Sequence, residues 1–256
     1  MSDLSLAFRQ VKYTNRAFWR NPASAFFTFA FPLMFLVIFT AIFSGTTNTA
    51  FGEIPVSNYY IPAIGTFSII TATYTNLAIS LTFLRDAGIL KRVRGTPLPG
   101  WAYMFGRIIH AILLSILLVA IVIAFGVLFY DATVPTSRLL PFLVTLVVGA
   151  ASFSALGLAV TTIVPNADAA PAVVNATVLP LLFLSGVFIA LPPGNPWYVI
   201  VAKVFPVYHF SHAMLAAYFA PLGESAWQLQ DLLVMAAWGV FGALVAARRF
   251  RWEAKR

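Results

Sequence analysis

The sequence contains no cysteine, which excludes disulfides, thiol chemistry and any cysteine-ligated metal. Charge is almost as scarce. Only 9% of the 256 residues are Asp, Glu, Lys or Arg, where soluble globular chains carry about 25%. Gly-Lys dipeptides are absent, which removes the phosphate-cradling loop of the P-loop ATPases, so this sequence does not itself hydrolyse ATP. Paired carboxylates, a metal triad and a serine-base arrangement at a plausible depth are missing too, which counts against an embedded enzyme.

What is there is grease. Hydrophobic residues make up 61% of the chain and come in unbroken runs rather than in alternation, which points to membrane helices and not a barrel. The formal charge of +8 does not read as a nucleic-acid footprint, because the basic residues flank apolar runs instead of covering one face of a folded domain. No nucleic-acid partner is expected. The surroundings are membrane lipids.

A helix rises ~1.5 Å per residue, so crossing the ~30 Å hydrocarbon layer takes about 20 residues. The uncharged intervals predict spans near 24–44, 59–83, 106–130, 139–164 and 171–191. A sixth, near 228–247, is tilted and begins at interfacial Trp227. The interval Val204–Gly223 is also uncharged, but Pro206, His209, Ser211, His212 and Pro221 suit lipid poorly. Counting it as non-spanning places fourteen of the sixteen Lys and Arg on the amino-terminal side and leaves only Arg138 and Lys203 opposite. Short loops rich in Lys and Arg stay cytosolic, so six spans with both termini in the cytosol are expected. The 204–223 segment then dips into the outer leaflet or lies along it. The fold class is all-α integral membrane, a single transmembrane domain over residues 1–256.

Residues 1–22 predict an interfacial amphipathic helix, with Leu4, Phe8, Val11 and Phe18 on one stripe. A polar loop over 45–58 carries Glu53. Span two is rich in hydroxyls and amides, including Tyr74 and Asn76, which serve either as interhelical glue or as the lining of a path. Arg107 and Asp231 are expected at span boundaries, leaving essentially no charge inside the spans; ion-coupled carriers usually keep charges there, so a secondary carrier ranks lower. His209 and His212 stand at i, i+3 with no third ligand evident, so no metal site is expected.

The one long polar interruption in the first half is Leu84–Gly100. It holds Arg85, Lys91, Arg92 and Arg94 against the single acid Asp86, with apolar Ile89, Leu90 and Val93 between the charges. Gly88 and the run Gly95-Thr96-Pro97-Leu98-Pro99-Gly100 bracket a helix of one or two turns. A solvated anchor explains the charges alone. A short helix mixing cations with apolar residues suits a cleft on a partner protein.

That stretch, Leu84 to Pro99, resembles the cytosolic loop of type-2 ABC exporter permeases: an acid, a spacer, glycine, a basic-leucine stretch and Thr-Pro-Leu. A second region is similar to the carboxy-terminal signature of the same family: Ser185-Gly186 late in span five, a proline-rich break at 192–196, and Pro206-Val207-Tyr208 ahead of the last span. The resemblance implies that 84–100 forms a coupling helix docked on a separate ATP-binding subunit, with Arg85, Asp86, Gly88, Ile89, Leu90, Lys91, Arg92, Arg94, Thr96, Pro97 and Leu98 in contact. It implies a re-entrant external element over 192–226 containing Pro206, Tyr208, His209 and His212. ATP and Mg would sit on the partner, two copies of which would serve a homodimer or heterodimer of permeases in a bacterial inner membrane. The cargo expected is a hydrophobic or amphipathic molecule, a drug-like compound or lipid; a lipid-linked glycan is the alternative. Phe67, Tyr74, Asn76, Phe183 and Phe188 are candidates for the path.

Overall fold

The computed structural model describes residues 3–43, 47–48, 54–191, 196–219 and 225–253. Glu53 of the polar loop, the Pro192–Asn195 run and Pro221 lie outside the described residues, as does the side chain of Leu4. Eleven α-helices are described: α1 Asp3–Trp19, α2 Pro22–Ile42, α3 Val56–Ile70, α4 Asn76–Asp86, α5 Ile89–Arg94, α6 Gly100–Tyr130, α7 Leu139–Val160, α8 Ala170–Leu184, α9 Trp197–Ala202, α10 Pro206–Phe219 and α11 Leu229–Arg249. A π-helical turn, Thr71–Thr75, joins α3 to α4, and a 3-10 turn, Thr136–Arg138, leads into α7. Strand pairing among the described residues is confined to β1 Thr47–Asn48 against β2 Ile54–Pro55. The fold is all-α integral membrane, as composition requires.

Among the described residues five helical stretches are long and apolar enough to cross a bilayer: Pro22–Ile42, Asn58–Asp86, Gly100–Tyr130, Thr136–Val160 and Leu229–Arg249. They fall on five of the six expected spans. The expected span at 171–191 needs correction. Its helix, α8, stops at Leu184 after 15 residues, ~22 Å of rise, because the next turn carries Gly186 at φ +81°, a conformation glycine adopts freely. The Tyr59 hydroxyl donates to the Gly186 carbonyl, and that of Tyr60 donates to the Phe188 carbonyl at 3.1 Å, tying the break to α3. The second span also differs from the uninterrupted helix expected over 59–83, being two α-helices either side of the π turn.

Two ends can be told apart. At one, α1 packs along the start of α6, with Phe8 edge-to-face on Phe105 at 6.2 Å, and Lys91 reaches Glu253 at 3.8 Å. This basic end also holds the α7–α8 turn. Ala7 is fully buried against the bundle, while Phe8 of the expected interfacial stripe is 58% exposed.

At the opposite end, α9 and α10 make a hairpin. The Val204 carbonyl at its tip accepts from Trp238 Nε1 in the middle of α11 at 3.1 Å, whereas Tyr218 near the close of α10 donates to the Thr133 carbonyl beyond α6 at 2.7 Å. The hairpin therefore enters the bundle and returns. Phe210 is fully buried and packs on Phe153 of α7 at 5.5 Å.

Close backbone approach fixes α7 against the π turn. A Cβ on Gly157 would stand 2.9 Å from the Tyr74 carbonyl oxygen and 3.0 Å from that of Thr73, both backbone atoms that cannot swing aside. Gly157→Leu should therefore lower thermal stability in detergent by about 1–3 kcal/mol or abolish a monodisperse peak, while Ala151→Leu on the exposed face of α7 leaves both unchanged. Equal melting of the two variants would show that α7 does not need this contact.

Candidate coupling end and re-entrant site

The segment 84–100 is built from the last turn of α4 outward. Arg85 is 3% exposed and turned into the protein. Its Nη1 donates to the Thr161 carbonyl at 3.0 Å, and its Nη2 to the carbonyls of Val164 at 3.0 Å and Pro165 at 3.3 Å. Its Nε meets Asp86 Oδ1 at 3.2 Å, and Asp86 Oδ2 accepts the Ala167 amide at 2.5 Å. One ion pair thus grips the whole α7–α8 turn. Hydrogen bonds to a charged group contribute about 1.5–3 kcal/mol each, so this is a strong tie for a polar loop.

Gly88, at φ +69°, turns the chain so that α5 can start directly after α4. Leu90 is fully buried among Leu77, Leu81, Tyr103, Leu158 and Ala246. That leaves Ile89, Lys91, Arg92 and Arg94 exposed. Thr96 Oγ1 closes the turn by donating to the Val93 carbonyl at 2.7 Å; Thr96 and Pro97 are exposed and Leu98 is half-buried. The expectation that Arg85, Asp86 and Leu90 meet a partner directly is corrected accordingly. Arg85 and Leu90 are buried, and the Asp86 oxygens are committed within the chain, so these residues hold the helix in place and its outer face carries the cations. Lys91–Glu253 is an exposed pair, worth little.

In the re-entrant hairpin, Pro206 is buried at the start of α10. His209 Nδ1 lies 2.5 Å from Asp231 Oδ1, and His212 Nδ1 lies 2.7 Å from Asp231 Oδ2. The second ring nitrogen of His209 faces the Lys203 carbonyl at 2.7 Å. Both nitrogens of that ring face acceptors, an arrangement that the doubly protonated imidazole satisfies at both ends beside the Asp231 carboxylate. Tyr208 stacks on His212, centroids 5.9 Å apart and planes 5° from parallel, and Lys203 Nζ sits 6.0 Å above the Tyr208 ring. Asp231 lies at the boundary expected for it, in the first turn of α11, where it is 6% exposed and its two imidazoles satisfy it. The signal available for this was faint: Asp231 is the one acid within the last apolar run, and the chain has only three histidines.

The five path candidates divide. Phe67, Phe183 and Phe188 belong to one aromatic cluster, with Phe67–Phe188 at 5.4 Å and Phe183–Phe188 at 5.0 Å. Tyr74 is buried elsewhere, its hydroxyl 2.7 Å from that of Thr177 on α8. Asn76 is exposed in a cleft between α1, α2, α4 and α6. Arg107, also expected at a boundary, lines that same cleft from the second turn of α6.

The long apolar helices thus carry a clamped basic helix at one end and a hairpin folded against α7 and α11 at the other. The chain belongs to the ABC-2 type transporter family, whose model matches residues 7–219, from α1 through the end of α10. No curated protein matches the chain. The family supplies the transport subunit of an ABC transporter, a multi-pass membrane protein that typically works with an ABC ATPase.

Proposed function

We propose that this chain is the permease of an ABC-type exporter, carrying a hydrophobic or amphipathic molecule away from the cytosol or inner leaflet. Two copies of a separate ATP-binding subunit, holding ATP and Mg, dock on the 84–100 segments of a permease homodimer or heterodimer. Both termini and the basic end face the cytosol of a bacterial cell, in keeping with fourteen of sixteen cations gathered there. The observation that carries this reading is α5. Its inner residue, Leu90, is anchored in the core while three cations and Ile89 are presented outward. A rigid, charged short helix suits a partner that pushes on it.

Changing Lys91, Arg92 and Arg94 together to Glu reverses that face without touching the core. The expected result is normal membrane insertion, with loss of ATPase co-purification and of substrate-stimulated hydrolysis. Undiminished transport by the triple variant would remove α5 as the docking element.

The Asp231 cluster favours a second reading, because a buried acid between two imidazoles also suits an ion-coupled carrier. Uptake into vesicles by the purified chain alone, abolished when the proton gradient is collapsed, would select that reading over the first.

A further inference from the structure

Among the described residues Arg107 is a guanidinium without a countercharge. It lies in the second turn of α6, at the cytosolic edge of the apolar stretch Gly100–Tyr130. Its Nη1 donates to the Tyr103 hydroxyl at 3.2 Å and its Nη2 to Ser80 Oγ at 2.8 Å, both neutral acceptors. Its Nε is buried and has no partner. Among the described residues the ion pairs involve Arg85, Lys91, His209 and His212, and none includes Arg107.

The guanidinium borders a cleft of about 360 Å³ whose wall also carries Asn21, Ser24, Asn76 and Ser80. Asn76 is exposed there although it sits in the middle of a membrane-crossing stretch, a poor place for an amide facing lipid. A second cleft of about 240 Å³ shares Ser24, Ala72 and Asn76 with the first and continues over Phe27, Phe31, Pro32 and Leu118. Both clefts mix hydrogen-bonding and apolar side chains: the first carries the cation, and the second adds the rings of Phe27 and Phe31 beside the hydroxyls of Thr28, Ser68 and Thr71. The π turn contributes to the junction: its wide coil places both Ala72 and Asn76 on the cleft wall.

We infer that these joined clefts bind an amphipathic anion, with a phosphate or carboxylate head on Arg107 and an apolar chain running past Phe27, Phe31 and Leu118. A planar guanidinium takes such heads with two parallel hydrogen bonds, and an anion here supplies the countercharge the protein omits. The assignment narrows the cargo class and rests on the exporter reading, but the binding step needs no ATPase.

The test uses the full chain in zwitterionic phosphatidylcholine nanodiscs and measures binding of dodecyl phosphate, of neutral monododecanoyl glycerol and of inorganic phosphate. Dodecyl phosphate should bind the wild type, and Arg107→Gln should weaken it on the order of tenfold or more, with Arg107→Lys between. Binding of the neutral lipid should not respond to Arg107→Gln. Should Arg107→Gln fail to fold, Asn76→Leu, which fills the junction, must lower dodecyl phosphate affinity in its place. Equal affinity of wild type and variant for dodecyl phosphate overturns the site. Inorganic phosphate binding as tightly as dodecyl phosphate overturns the amphiphile and leaves a plain anion site. Arg107-dependent binding in a chain that no ATPase stimulates would retain the site while rejecting the exporter reading.

Discussion

Arg85→Ala is expected to cost about 3–5 kcal/mol and to disconnect the permease from its motor. The guanidinium is almost wholly buried, and its loss orphans the carbonyls of Thr161, Val164 and Pro165 together with one oxygen of Asp86. Water cannot readily replace it, since Thr161 and Val164 are themselves buried. Lysine at this position keeps the charge but offers a point donor in place of a planar fork, so Arg85→Lys should recover part of the stability only. Thermal unfolding in detergent reads the first effect. Substrate-stimulated hydrolysis by the reconstituted complex reads the second. A variant that melts with the wild type and still stimulates would show that the α7–α8 turn is held by other means.

Asp231→Asn should loosen the α9–α10 hairpin, again by about 3–5 kcal/mol, because it removes the buried carboxylate that both imidazoles share. Asn presents one carbonyl oxygen where two ring nitrogens had each found a carboxylate oxygen. The absence of native cysteine makes the hairpin easy to watch. Ser211 is fully buried beside this cluster, so Ser211→Cys should resist a membrane-impermeant maleimide in the wild-type background and react in the Asp231→Asn background. Protection in both backgrounds would mean that Asp231 does not hold the hairpin.

Most of the architecture was legible because charge and grease cannot be disguised in a membrane chain. The spans at 24–44, 106–130 and 228–247 follow from uncharged length alone and match α2, α6 and α11 to within a few residues, apart from six extra at the start of α6. The basic segment was legible for the same reason, down to Gly88 as the pivot of a short helix. What stayed hidden depends on rotation and on distant partners. Whether Arg85 faces out or in is decided by the phase of α4, and that phase is set by a π turn with no compositional mark. The meeting of Asp231 with His209 spans 22 residues and needs the hairpin to fold back first. Span five misled because Ser185 and Gly186 lie inside an uninterrupted apolar run, where hydropathy cannot register a left-handed glycine.

That wide turn has a mechanical corollary. Each residue of an α-helix advances the azimuth by about 100°, and a π coil takes up roughly one residue more than its α counterpart. Tightening Thr71–Thr75 into ordinary pitch would therefore swivel everything below it by about a quarter of a circle. Arg85 would leave its carbonyls, and Asn76 would rotate out of the cleft wall, in one stroke. The phase of Thr71–Thr75 thus sets the facing of Arg85 and Asn76 together, because both lie on its carboxy-terminal side.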